Sequence, residues 1–75
     1  LEVFATLAQA GSFSRAASLL GITQSAVSHA LRALERELGV ALFSRERAVP
    51  ELTPAGARLL ARAHEIRTLH EALIQ

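Results

Sequence analysis

Several residue types that carry chemistry are missing from this chain. It contains no cysteine, tryptophan, tyrosine or methionine, and its only aromatic residues are three phenylalanines. Without cysteine, disulfides and thiolate ligands are excluded. Aspartate is also missing, which removes the usual third member of a serine-histidine triad. No apolar run approaches the roughly 20 residues that span a bilayer, and no leader segment is visible, so we expect a soluble, unprocessed chain without a membrane partner.

The residues that are present describe a small helical domain. Leucine, alanine, valine and isoleucine supply most of the 51% hydrophobic content, and these residues usually build the core of packed helices. A chain of 75 residues buries only a limited core and is marginally stable alone. We therefore expect one all-α domain that gains stability from a partner.

The net charge is low, and the basic residues are all of one type. The formal net charge is +1, less than is common for a nucleic-acid-binding module. All eight basic residues are arginine, the side chain best suited to bidentate contacts with phosphates and bases. Arg36 lies between Glu35 and Glu37, so an ion-paired surface role explains it as well as a role in binding does.

Residues 16–38, AASLLGITQSAVSHALRALEREL, form the most informative segment. Gly21 can end one helix in a left-handed conformation, and Thr23 can cap the next helix through its side-chain oxygen. Ala16 and Ala17 are small enough to let the two helices cross closely. The second helix has an apolar stripe at helical spacing that we expect to be buried. The stripe consists of Val27, Ala30, Leu31, Leu34 and Leu38. The segment predicts a helix-turn-helix.

The polar face of the second helix distinguishes this segment from an ordinary amphipathic helical hairpin, which is the alternative. A merely solvated helix usually carries lysine and glutamate outside, whereas the first turns here carry short hydrogen-bonding side chains. These are Gln24, Ser25, Ser28 and His29. Such side chains can enter the major groove of DNA and contact base edges. The face therefore favours duplex DNA as the partner.

Another helix is predicted ahead of this pair. It covers residues 1–10, and Gly11 ends it. Its apolar stripe consists of Leu1, Phe4, Ala5 and Ala8. Either Ser12 or Ser14 can cap the helix that follows, with Phe13 between them packing inward.

A wing is predicted after the helix pair. Residues 40–43 are too short a run for a helix and suit an extended piece, and residues 49–52 can pair with them as a two-stranded hairpin. Pro50 restricts the second piece to an edge. Together with the three helices, this hairpin makes the predicted fold a winged helix-turn-helix.

A long helix is predicted to follow the wing. Thr53 can cap it, and Pro54 suits its first position. Its apolar stripe alternates between spacings of four and three residues, as in a coiled-coil seam. The stripe consists of Leu59, Ala63, Ile66, His70 and Leu73. We expect this helix to dimerise, with packing on its own core as the alternative. The predicted organisation is a winged helix-turn-helix over residues 1–53 and a linker helix for dimerisation over residues 54–75.

A set of short motifs along the chain resembles those of one known family. The chain is similar to the N-terminal winged helix-turn-helix domain of the LysR-type transcriptional regulators over essentially all of its length. The motifs are F-x-x-L-A at residues 4–8, GSFSRAA at 11–17, LGITQSAVS at 20–28, LE-x-x-LG at 34–39, LF-x-R at 42–45 and LT-x-AG at 52–56.

The resemblance implies a bacterial, cytoplasmic, nucleoid-associated regulator that binds double-stranded promoter or operator DNA. It implies a homodimer through antiparallel linker helices, with a tetramer possible at full length. A small-molecule effector would bind a further domain outside these 75 residues.

The family's contacts can be carried over residue by residue. The resemblance implies phosphate contacts for Ser14, Arg32 and Arg45, and it leaves Arg47 near the wing tip for a minor-groove contact. It implies groove-facing roles for Thr23, Gln24, Ser25, Ser28 and His29. Two positions depart from the family pattern. Ser25 stands where the family usually has proline, and His29 stands where it often has arginine or a long polar residue. The wing is poorer in arginine than is typical.

Enzymatic and metal-binding functions find little support in the sequence. Ser28 and His29 are adjacent but point in different helical directions, which argues against a catalytic pair. His64 and His70 are six residues apart and do not share a helix face, so we expect no metal and no cofactor. The rival function is a winged helix used for protein assembly, with weak or no DNA binding. The low net charge favours it, and the short polar side chains argue against it.

Overall fold

The computed structural model describes residues 2–46 and 49–74. Four helices are found there: α1 (Glu2–Ala10), α2 (Phe13–Leu20), α3 (Gln24–Leu38) and α4 (Pro54–Leu73). The described residues contain no sheet, only an isolated antiparallel bridge between Phe43 and Leu52. The all-α, winged helix-turn-helix prediction is confirmed. None of the helices in the described ranges combines the length and apolar character needed to cross a bilayer.

The turn between α2 and α3 has the predicted left-handed glycine and the predicted threonine cap. Gly21 has a φ of 68°, in the left-handed region, and its N–H donates to the carbonyls of Ala17 and Ser18 at the end of α2. Thr23 has an extended backbone, and its hydroxyl oxygen accepts from the N–H of Ala26 at 3.0 Å. The turn therefore satisfies backbone groups that a helix end leaves unpaired, and it fixes the position where α3 begins.

Between the two candidate caps of α2, the structure selects Ser12. Its side-chain oxygen accepts from the N–H of Arg15 at 3.1 Å. Ser14 lies inside the first turn of α2 and is exposed. Its hydroxyl is therefore not used to cap the helix.

The core lies where α1, α2 and α3 meet the segment after α3. The buried residues are Phe4, Leu7, Ala16, Ala17, Val27, Leu31, Leu42 and Phe43. The rings of Phe4 and Phe43 pack edge to face with centroids 5.6 Å apart, an arrangement that aromatic pairs prefer. The small residues predicted to let α2 cross α3 are in this core.

Two core predictions were wrong. The stripe predicted on α1 omitted Leu7, which is fully buried. Leu38 was expected to be buried, but it is 48% exposed. It is the last residue of α3. Leu1 of the predicted stripe lies outside the described residues.

Of the predicted two-stranded wing, only the base forms, where residues 42–44 lie beside residues 51–53. Two backbone hydrogen bonds join its arms, from Ser44 N–H to the Glu51 carbonyl at 2.8 Å and from Thr53 N–H to the Leu42 carbonyl at 3.0 Å. The N–H of Leu42, which faces the other arm in this register, donates to the Glu35 carboxylate instead, and the N–H of Phe43 donates to the same carboxylate. The strands predicted over residues 40–43 and 49–52 do not form. Residues 47 and 48 lie outside the described residues.

The linker helix α4 begins as predicted. The Thr53 hydroxyl accepts from Gly56 N–H at 3.0 Å and donates to the Ala41 carbonyl at 2.6 Å, and Pro54 occupies the first turn. Gly56 is buried against the backbone of Leu42, which leaves no space for a Cβ. The base of the wing and the start of α4 are thus joined closely.

Candidate nucleic-acid interface

A cavity of about 400 Å³ lies between α3 and the base of the wing. Its polar lining consists of Gln24, Ser25, Ser28, Arg32, Ser44 and Arg45. Phe13, Phe43 and Pro50 supply the apolar part of the wall. The structure therefore brings together the first turns of α3 and the two arginines predicted as phosphate ligands. We call this space the α3–wing cavity.

Three of the other predicted contacts lie outside the α3–wing cavity lining. Ser14 is exposed at the start of α2, and His29 is exposed on α3. Thr23 is exposed too, but its side-chain oxygen is engaged in capping α3. The predicted wing-tip contact, Arg47, falls outside the described residues.

Arg45 is held in place by an ion pair. Its Nη2 donates to Oε1 of Glu35, and the two side chains are 46% and 10% exposed respectively. A guanidinium has five N–H donors, so pairing with one carboxylate oxygen leaves others for a second anion. The ion pair therefore restrains Arg45, which lines the α3–wing cavity, without using all of its donors.

Glu35 also organises the backbone that precedes the wing. Its Oε2 accepts from Leu42 N–H at 2.7 Å and from Phe43 N–H at 3.3 Å. The sequence analysis missed this role and considered Glu35 only as a possible ion-pair partner of Arg36. A signal existed: Glu35 follows Leu31 by four residues, which places its carboxylate beside the buried stripe.

We expect Glu35→Ala to lower the free energy of unfolding by about 2 kcal/mol, because two part-buried amides lose their acceptor. Glu35→Gln should lose less, since its amide oxygen can still accept. Urea unfolding followed by circular dichroism, at one protein concentration, measures both. Glu37→Ala, an exposed change in the same turn, is the control. An unfolding free energy for Glu35→Ala equal to that of the unmodified chain would contradict the anchoring role.

The predicted dimerisation stripe is divided by the fold. Leu59 is partly buried against the core of its own chain. Further along, Ile66 and Leu73 are exposed. Ala63, Ile66 and His70 line a groove of about 530 Å³ between α1 and α4, with Ala5 on the opposite wall. We call it the α1–α4 groove.

The described residues do not assemble the side chains of a metal site. Within residues 2–46 and 49–74, no group of three or more histidine, cysteine, aspartate or glutamate side chains could hold a metal ion.

Comparison with known proteins gives one consistent result. The sequence profile of the bacterial regulatory helix-turn-helix proteins of the lysR family matches residues 1–57. The chain is 43% identical over 74 residues to the probable HTH-type transcriptional regulator LrrA of Synechococcus elongatus, covering 99% of this chain and 25% of that protein. This chain thus spans about a quarter of the length of the curated relatives it matches.

Two solved structures with similar folds were determined with DNA. Vibrio fischeri DarR in complex with DNA superposes with a TM-score of 0.83 and 38% identity, covering 97% of this chain and 25% of that one. The CbnR DBD–DNA complex superposes with a TM-score of 0.82 and 35% identity, covering 95% of this chain and 82% of that one.

Proposed function

This chain belongs to the lysR family of bacterial regulatory helix-turn-helix proteins, and we propose that it binds double-stranded DNA at a promoter or operator, with α3 as the recognition helix in the major groove. The observation that carries the proposal is the α3–wing cavity, where short polar side chains lie beside two arginines. The similarity to proteins described in complex with DNA supports it.

The lining of the α3–wing cavity matches the two kinds of contact that a duplex offers. Base edges in the major groove present hydrogen-bond donors and acceptors, which Gln24, Ser25 and Ser28 can meet. Phosphates lie at the margins of the groove, where Arg32 and Arg45 supply positive charge. Base readout is thus assigned to the start of α3 and backbone binding to the arginines.

Four residues that were predicted to contact DNA do not line this cavity, and each is given a separate proposed role. Ser14, exposed in the first turn of α2, is proposed to contact phosphate where helix N–H groups and the helix dipole favour an anion. His29 is proposed to contact the groove one residue beyond Ser28. Thr23 is proposed to act chiefly by fixing the start of α3, because its oxygen caps the helix. Arg47 remains a proposed minor-groove contact on the strength of the sequence.

Replacing Gln24 tests base readout directly. We expect Gln24→Ala to weaken binding to the preferred duplex by about 1–3 kcal/mol and to relax the preference at one base pair, because a bidentate amide contact to adenine is lost. Fluorescence anisotropy with one matched and one scrambled duplex measures the effect. Ser18→Ala, an exposed change on α2 away from the α3–wing cavity, is the control. Equal losses on both duplexes would remove Gln24 from base readout.

The second half of α4 supports a role in joining two copies. Leu69, Leu73 and Ile74 are exposed there, and the α1–α4 groove lies beside them. An exposed apolar stripe on a long helix is typical of a surface that another chain covers. We propose that residues 54–75 form the linker helix and that the α4 of a second copy lies antiparallel against it, leaving residues 1–53 to contact DNA.

The rival function, a winged helix used for protein assembly, has two observations in its favour. Arg45 is already paired with Glu35, and the net charge is only +1. A salt titration separates the two functions, because phosphate binding releases counterions and weakens steeply as salt rises. An assembly module would dimerise without any salt-dependent binding to duplexes.

A further inference from the structure

A second pocket, of about 440 Å³, lies at the end of α3 next to the α3–wing cavity. Arg32, Arg36 and Arg45 line it together with Glu35 and residues 39–41. Arg32 and Arg45 also line the α3–wing cavity. The two spaces therefore share a wall of two arginines, and Arg36 stands on the side away from the base-reading residues. We call the second space the arginine pocket.

The charge of the arginine pocket favours an anion. The Glu35 side chain is 10% exposed, and its oxygens already accept from Leu42 N–H, Phe43 N–H and Arg45. Its carboxylate is thus turned inward and occupied. Three arginines and this one carboxylate line the pocket, which leaves it with a surplus of positive charge. In the part of the chain that the structure describes, Arg36 forms no ion pair.

We infer that Arg36 is an additional phosphate ligand, which extends the DNA contact from the α3–wing cavity to the end of α3. The inference rests on the proposed function and adds a residue to it. Arg32 and Arg36 are one turn apart, about 6 Å along α3, and phosphates of one strand recur about every 3.4 Å along the duplex axis. A strand bound at Arg32 and Arg45 can therefore present a neighbouring phosphate within reach of Arg36.

Arg36 has a second possible role, which the experiment must separate from the first. It lies in the last turn of α3, where a positive charge stabilises the helix by interacting with the helix dipole. That role alone would change the melting temperature of the chain. It would leave the salt dependence of DNA binding unchanged, because no counterion would be released at Arg36.

The test is a salt titration of binding to a matched and a scrambled duplex, between about 50 and 200 mM salt. For Arg36→Ala we expect weaker binding to both duplexes and a slope of log Kd against log salt that is shallower by about 0.9 per bound chain. Arg36→Lys, which keeps the charge, should retain the slope. Arg62→Ala is the matched control, since Arg62 is an exposed arginine on α4 paired with Glu65 at 3.2 Å.

The outcomes are distinguishable. A lower melting temperature for Arg36→Ala with an unchanged slope would overturn the inference and leave only a role in helix stability. If the unmodified chain binds with a steep slope and Gln24→Ala loses selectivity while Arg36→Ala does not alter the slope, only the inference about Arg36 fails. If the unmodified chain shows no salt-dependent binding to either duplex, the proposed function fails and the inference fails with it.

Discussion

Replacing Gly56 with alanine is expected to lower the free energy of unfolding by about 3 kcal/mol, at the upper end for an overpacked site. A Cβ at this position would overlap the carbonyl oxygen of Leu42 and lie 2.9 Å from Cδ2 of Leu52. The first obstacle is backbone, so it cannot move without disturbing the base of the wing. Alanine is otherwise a better helix former than glycine by about 1 kcal/mol. Helix propensity alone would therefore raise the free energy of unfolding, whereas we expect it to fall.

The matched control for this change is Ala57→Gly at the next, exposed position of α4. Helix propensity alone predicts that Gly56→Ala stabilises the chain and Ala57→Gly destabilises it. The close packing of Gly56 against the Leu42 carbonyl predicts that both changes destabilise the chain and that Gly56→Ala has the larger effect. Chemical unfolding of both variants at one protein concentration decides between them. A stabilised Gly56→Ala variant would show that α4 and the wing do not pack as described.

Replacing Ile66 with glutamate is expected to separate the proposed dimer into monomers and to weaken binding to a duplex with two half-sites by about 100-fold. Ile66 is 64% exposed in the single chain and lines the α1–α4 groove. A charge there would be buried without a partner in the dimer, which is costly, but it would remain in water in the monomer. Sedimentation equilibrium measures the mass, and anisotropy measures the affinity.

Thr68→Glu is the control for the charge itself. Thr68 is exposed on α4 and lies two residues from Ile66, close to the opposite side of the helix. It should leave both mass and affinity unchanged. A monomeric unmodified chain at high concentration, or a dimeric Ile66→Glu variant, would refute the proposed interface.

Local chemistry allowed much of the fold to be predicted. The turn at Gly21 and the caps at Thr23 and Thr53 depend on residues within four positions along the chain, so the sequence pattern shows them directly. The start of α3 and the start of α4 follow from those caps. Gln24 and Arg32 then fall on one side of α3 through helical periodicity alone, which is why the sequence could place them together.

The features that were missed depend on contacts between residues that are distant in sequence. Glu35 binds amides seven and eight residues later, and Gly56 meets the backbone of Leu42. Periodicity describes which side of a helix a residue occupies, but not which distant backbone group approaches it. The predicted strands of the wing failed for the same reason, because the contact of the Leu42 N–H with Glu35 joins residues that are distant in sequence.

The backbone groups of Leu42 connect the proposed recognition helix α3 to the proposed linker helix α4. Its N–H is bound by Glu35 on α3 and its carbonyl by the N–H of Thr53 at the start of α4. In a dimer joined through α4, a tilt imposed on that helix would reach the recognition helix in part through this residue. The separation of two recognition helices, about 34 Å for half-sites one duplex turn apart, would then depend on how firmly the segment at Leu42 holds the two helices together.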